Sequence, residues 1–225
     1  MDAAAHPSPS EALWLACEQG DDAKARTLLA AARKAGSADA LLLRRRHGLT
    51  LTHLAAERGH FRVLTELLAS GAAADVVTAA GVTPLHLAAE RGRNDAVDVL
   101  VAFGAEQPAD AFGSTPLHRA AFAGHVDIVA MLLEGGAIED ARDANGHTPL
   151  HVAAHGGYDE VVRELLRGGA FPHVRDQHGQ TARVLAAQAG HTSVVAAMDM
   201  FLAPQDEPQL LSLVMPVLER AALNP

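Results

Sequence analysis

The tetrapeptide Thr83-Pro84-Leu85-His86 returns as Thr115-Pro116-Leu117-His118 and again as Thr148-Pro149-Leu150-His151, at steps of 32 and 33 residues. Weaker copies stand 33 residues farther out on each side, at Thr50-Leu51-Thr52-His53 and at Thr181-Ala182-Arg183-Val184. A glycine precedes each threonine by two residues, and a second glycine ladder (Gly59, Gly92, Gly124, Gly157, Gly190) keeps the same step. A repeat of this length means one supersecondary unit that buries its apolar face against copies of itself. The chain must be a stack of thin layers.

Within one unit each marker has a mechanical reading. The first glycine closes a turn that needs a positive φ. Threonine is a helix N-cap, and proline takes the first helical position, where no amide donor is missed. Leu-His-x-Ala-Ala then forms a short first helix whose small residues permit close stacking, and the second glycine ends it. A second helix carries Ile128, Val129, Leu132 and Leu133 at helical spacing and stops at Gly135-Gly136. Composition agrees: hydrophobic residues make up 49% and aromatics only 4%, so the core is Ala, Leu and Val, strong helix formers in the first two cases.

The pattern Gly-x-Thr-Pro-Leu-His-x-Ala-Ala, with Leu-Leu-x-x-Gly-Ala endings, resembles the ankyrin repeat over roughly residues 11–203. The resemblance implies an all-α solenoid of about six repeats, each a pair of antiparallel helices, with β-hairpins projecting between neighbours. It also implies a concave face of hairpin tips and first helices, and a motif histidine that hydrogen-bonds between adjacent loops. Leu13-Trp14-Leu15-Ala16-Cys17-Glu18-Gln19-Gly20 aligns with the first helix of a terminal repeat, Trp14 plugging the open end. This repeat carries six extra residues, which fit at the end of its second helix, around Ala30 to Gly36. At the far end Arg183 replaces the buried leucine and Val184 the histidine, as befits a cap with no further loop to bond. Three segments are therefore expected: a disordered lead over 1–10, the repeat domain over 11–203, and a linker with an apolar helical segment over 204–225. Leu210, Leu211, Leu213, Val214, Val217, Leu218 and Leu223 suit that segment to docking on Val184, Val194, Val195 and Met198 of repeat six, or to serving as a recognition motif for another protein.

Charge and motif content narrow the function. A net charge of −9 disfavours direct nucleic-acid contact, which needs clustered Lys and Arg. The single cysteine, Cys17, excludes an internal disulfide and multi-cysteine zinc sites and reads as a small buried hydrophobe. The first residues lack the basic and apolar regions of a secretory signal, and no apolar run of about 18 residues occurs, so neither export nor a membrane span is expected. The expected location is the cytoplasm, with the nucleus as the alternative. Of thirteen histidines, His53, His86, His118 and His151 are the motif histidine, while His60, His125 and His191 follow the second glycine. None of the remaining six stands at the i, i+4 spacing of a helical zinc pair from another of the six, and no cysteine accompanies them, so no metal or cofactor is expected. No nucleophile elbow, phosphate loop or paired-carboxylate motif is present, so no catalytic residue is assigned.

The candidate partner-binding residues come from the repeat register. Phe112 at a loop tip and Phe122 on a first helix fall at solvent-facing positions in a chain poor in aromatics, and aromatics anchor interfaces. Asn145, His147 and His155 lie beside them, with His178 one repeat on and Ala79, Ala80 and Glu90 on the other side. The alternative is that one ring folds inward over its own hairpin. Arg44, Arg45 and Arg46 form the single basic run, either a solvated loop or a grip for an acidic or phosphorylated ligand at the N-terminal end of the groove. These features predict a monomeric, non-catalytic scaffold or adaptor that binds a partner protein through its concave groove. The alternative is an inhibitory or chaperone subunit that regulates a DNA-binding or kinase partner.

Overall fold

The computed structural model describes residues 8–202. The capped Thr-Pro starts and glycine stops produce thirteen helices in this span, with no strand among the described residues. Twelve of them form six consecutive pairs. These are α1 (Pro9–Gln19) with α2 (Asp22–Lys34), α4 (Leu51–Arg58) with α5 (Phe61–Ala69), and α6 (Pro84–Glu90) with α7 (Asn94–Ala102). They continue with α8 (Pro116–Ala123) and α9 (Val126–Glu134), α10 (Pro149–Gly156) and α11 (Asp159–Arg167), and α12 (Ala182–Gln188) and α13 (Thr192–Leu202). The first helices pack side by side in one layer and the second helices in another. The helix α1 begins two residues before the expected domain boundary, because Ser8 caps it and shares a capping box with Glu11. The rest of the expected disordered lead, and the linker and apolar helical segment expected over 204–225, lie outside the described residues.

Packing follows the repeat. Leu51, Leu85, Leu117 and Leu150 are at most 1% exposed, and the alanine pairs from Ala55-Ala56 to Ala153-Ala154 are fully buried, so backbones approach closely. Val194 and Met198 are also fully buried, which removes them from the surface expected to dock the C-terminal segment. Val184 stays exposed and Val195 half-buried. The extra residues of the first repeat extend α2 to thirteen residues, against nine in α5, α7, α9 and α11. They are followed by a helix the sequence did not announce, α3 (Ala38–Leu42), which inserts Leu42 into the core.

The motif histidines staple one layer to the next. Nδ1 of His53, His86, His118 and His151 accepts the backbone N–H of the N-cap threonine at 3.2–3.3 Å. An amide can only donate, so the proton sits on Nε2, which donates to Val82, Ser114, His147 and Gln180 carbonyls at 2.9–3.2 Å. Burial pushes all four imidazoles below their ordinary pKa.

The projecting loops close as tight turns with no strand among the described residues, although the loop before α4 carries one antiparallel bridge, Arg46 with Leu49. In the fourth unit Asp110 N–H donates to Ser114 O and Gly113 N–H to Asp110 O, while Asp110 Oδ1 accepts the N–H groups of Phe112 and Ser114. The carboxylate takes donors that a strand ladder would pair. Asp143 and Asp176 repeat the arrangement. Gly113, at φ 74°, marks the tip; a Cβ there would come within 3.0 Å of the next loop's backbone. Neighbouring tips are stitched by Ala111 N–H to Ala80 O, Ala144 N–H to Phe112 O and Gln177 N–H to Asn145 O.

Candidate functional site

The N-termini of the first helices and the loop tips share one face, which changes character along the stack. The side-chain position four residues after each N-cap threonine holds Leu54, Leu87, Arg119, Val152 and Leu185 in turn. Position seven holds Glu57, Glu90, Phe122, His155 and Gln188. In the N-terminal half these positions are consumed by ion pairs. Arg91 bonds Glu57 at 3.1 Å, and Arg119 bonds Glu90 at 3.0 Å and the fully buried Asp110 carboxylate at 2.6 Å. Desolvation would raise the Asp110 pKa, but the hydrogen bonds from Arg119 and the two loop amides hold it below the usual carboxylate range. Glu90 is thus committed to holding Arg119.

Toward the C-terminal half Phe122, Val152 and Leu185 make these positions more apolar. Phe122, Val152, Leu185 and Tyr158 line a cleft of about 320 Å³ together with Asp143, His147, His151, His155 and Gly156. Phe122 is 68% exposed and Phe112 64%, so neither ring folds inward. His155 is exposed in the cleft. Phe112, Asn145 and His178 are exposed on their tips, outside the cleft's lining. His147 is half-buried and sits between two carboxylates, with Nδ1 3.8 Å from Asp143 Oδ2 and Nε2 3.4 Å from Asp176 Oδ2. It also stacks on His151 at 5.8 Å. His147 therefore lies between the fifth and sixth layers at the edge of the cleft.

Tyr158 is the residue sequence reasoning missed. It opens a second helix, where other units carry a nitrogen donor that reaches back one layer. His60, Arg93, His125 and His191 bond the carbonyls of Glu18, Glu57, Glu90 and His155. Tyr158 instead lays its ring against Gly124, where a Cβ would come within 2.7 Å of it. Its departure from the His/Arg column was the available signal.

The family model for ankyrin repeats (3 copies) matches residues 52–143 and 136–199, more than half of the chain. The chain belongs to the ankyrin-repeat family. Ankyrin repeats are generally non-catalytic protein–protein interaction modules. A search of curated proteins returns no match. In this ankyrin-repeat protein α1 and α2 precede the matched segment, yet they pack on α4 and α5 as the next layer of the same stack.

The remaining sequence candidates fall elsewhere. Arg44, Arg45 and Arg46 are all exposed and line a separate pocket with the start of α1, near the opposite end of the stack from the apolar cleft. Arg45 donates to the carbonyls of Gly48 at 3.1 Å and Val77 at 2.7 Å, and the Arg46 guanidinium lies 5.9 Å from the centre of the Trp14 ring. Trp14 is buried at the end of the stack. Burial pushes the Cys17 thiol up to about 12, which suits it to packing rather than thiolate chemistry. Among the described residues no three His, Cys, Asp or Glu side chains gather as a metal-holding group, and no helix is long and apolar enough to cross a membrane.

Proposed function

We propose that this ankyrin-repeat protein is a non-catalytic scaffold or adaptor that holds a partner protein in its concave groove, chiefly in the C-terminal half. The observation that carries the reading is Phe122, 68% exposed at the lip of an apolar cleft in a chain with 4% aromatics. A large exposed ring gains most by entering a partner's surface, and Phe112 on the neighbouring tip widens the apolar contact. Val152, Leu185 and Tyr158 offer the floor for an apolar side chain of the partner. His155, Asn145 and His178 supply a polar rim. Glu90 acts indirectly by fixing Arg119.

The test uses wild-type protein, Phe112→Ala and Phe122→Ala as matched baits, followed by calorimetric titration of whatever the wild type retains. Each substitution is expected to weaken the complex by about 1–3 kcal/mol while leaving unfolding free energy within about 0.5 kcal/mol. Unchanged affinity in both variants would refute the groove reading.

A further inference from the structure

Outside the groove, Ser8, Ser10, Glu11, Trp14, Arg44, Arg45 and Arg46 line a second pocket. Three arginines and one glutamate line it in a chain whose net charge is −9, and the positive charges of Arg46 and Arg44 act on the Glu11 carboxylate. The Arg44 guanidinium makes no hydrogen bond among the described residues, its backbone N–H alone donating to the Leu41 carbonyl at 3.3 Å. The pocket holds about 190 Å³, several times the roughly 30 Å³ share of a water molecule. Ser8 is exposed, whereas Ser10 is buried. Pro9 follows Ser8 and keeps it extended, at φ −54° and ψ 153°, as the exposed N-cap at the very start of α1. Serine followed by proline is also the dipeptide that proline-directed protein kinases accept.

We propose that Ser8 is a phosphorylation site whose phosphate is held by Arg44, Arg45 and Arg46. A protein kinase supplies a magnesium-bound nucleoside triphosphate. Ser8 Oγ forms a bond to the γ-phosphorus, the bond from that phosphorus to the β,γ-bridging oxygen breaks, the nucleoside diphosphate leaves, and the hydroxyl proton passes to the kinase's base. The product carries about −1.5 to −2 charge at neutral pH. Glu11 Oε2 now lies 3.0 Å from Ser8 Oγ and 2.9 Å from Ser8 N, so the new dianion displaces that carboxylate. The arginines then turn from a patch open to other anions into an internal clamp between α1 and the loop before α4. This site is independent of the apolar groove.

The test places phosphoserine at position 8 of the full chain and follows the phosphate by ³¹P NMR against pH. The second ionisation of the phosphate is expected about half a pH unit or more below its value in the same chain unfolded in urea, as charge-assisted bonds to guanidinium require. Arg44→Gln, which leaves the loop bonds of Arg45 in place, should recover part of that shift. In parallel, a proline-directed kinase with magnesium ATP should label wild-type protein at Ser8 and leave Ser8→Ala unlabelled. Equal midpoints in folded and unfolded chain would overturn the arginine clamp. Phosphate appearing elsewhere while Ser8 stays unmodified would overturn the acceptor.

Discussion

Lowering the pH from 7.5 to 5.5 should destabilise the fold through its four stapling histidines. In His53, His86, His118 and His151, Nδ1 already accepts a threonine amide and Nε2–H spans to the next layer, so protonation breaks an existing bond inside a buried site. Burial holds their folded pKa below the ordinary 6.5, so the unfolded chain takes up protons first. The stability they confer is complete above 6.5 and is lost as the pH falls below it. A fully refused proton removes about 1.4 kcal/mol per site over this interval, which sets a ceiling of about 5 kcal/mol for four sites. Asp110, Asp176 and Asp199 have depressed pKa values, so their contribution is lost only as the pH falls below 3.8, outside the interval. Urea unfolding at pH 7.5, 6.5 and 5.5 reads the effect directly. A loss of about 2–5 kcal/mol is expected, shrinking by about a quarter in His118→Gln. Stability that is flat or rising on acidification would refute the staple reasoning.

Arg119→Leu strands the Asp110 carboxylate, whose side chain is fully buried, and should cost about 2–4 kcal/mol in denaturant unfolding. Adding Asp110→Asn should recover part of the loss, whereas equal stability in all variants would make the pair incidental. Cys17, fully buried with a thiol pushed up to about 12, should resist an aromatic disulfide reagent at pH 8 and react once the chain is unfolded. Rapid reaction of the native protein would contradict its place in the core.

The stack was legible because its determinants are local. Thr-Pro sets a helix start, glycine sets a stop, and Leu-His-x-Ala-Ala says which side is buried, all within a few residues. Phe112 and Phe122 were legible as exposed for the same reason, since register fixes direction. What stayed hidden depends on neighbours 30 or so residues away. Glu90 looked available until Arg119 of the next layer was seen to claim it. His147 looked like a rim residue until Asp143 and Asp176 closed around it. Tyr158 drew no notice in the sequence, because its place beside the cleft depends on Gly124 of the layer before. Val194 and Met198 read as surface for a docking tail, yet α11 and α12 cover α13. In the loops of Asp110, Asp143 and Asp176 the carboxylates take backbone donors that a strand ladder would use.

Exposed apolar side chains also lie away from the cleft beside Phe122: Ile138 and Phe171, on the outer loops, are 72% and 67% exposed. The measurement that separates the cleft from these loops places one photo-crosslinking phenylalanine analogue at position 122 or at position 171 and irradiates the partner complex. The groove account predicts a covalent adduct to the partner from position 122 and none from position 171. Adducts from 171 with none from 122 would contradict it.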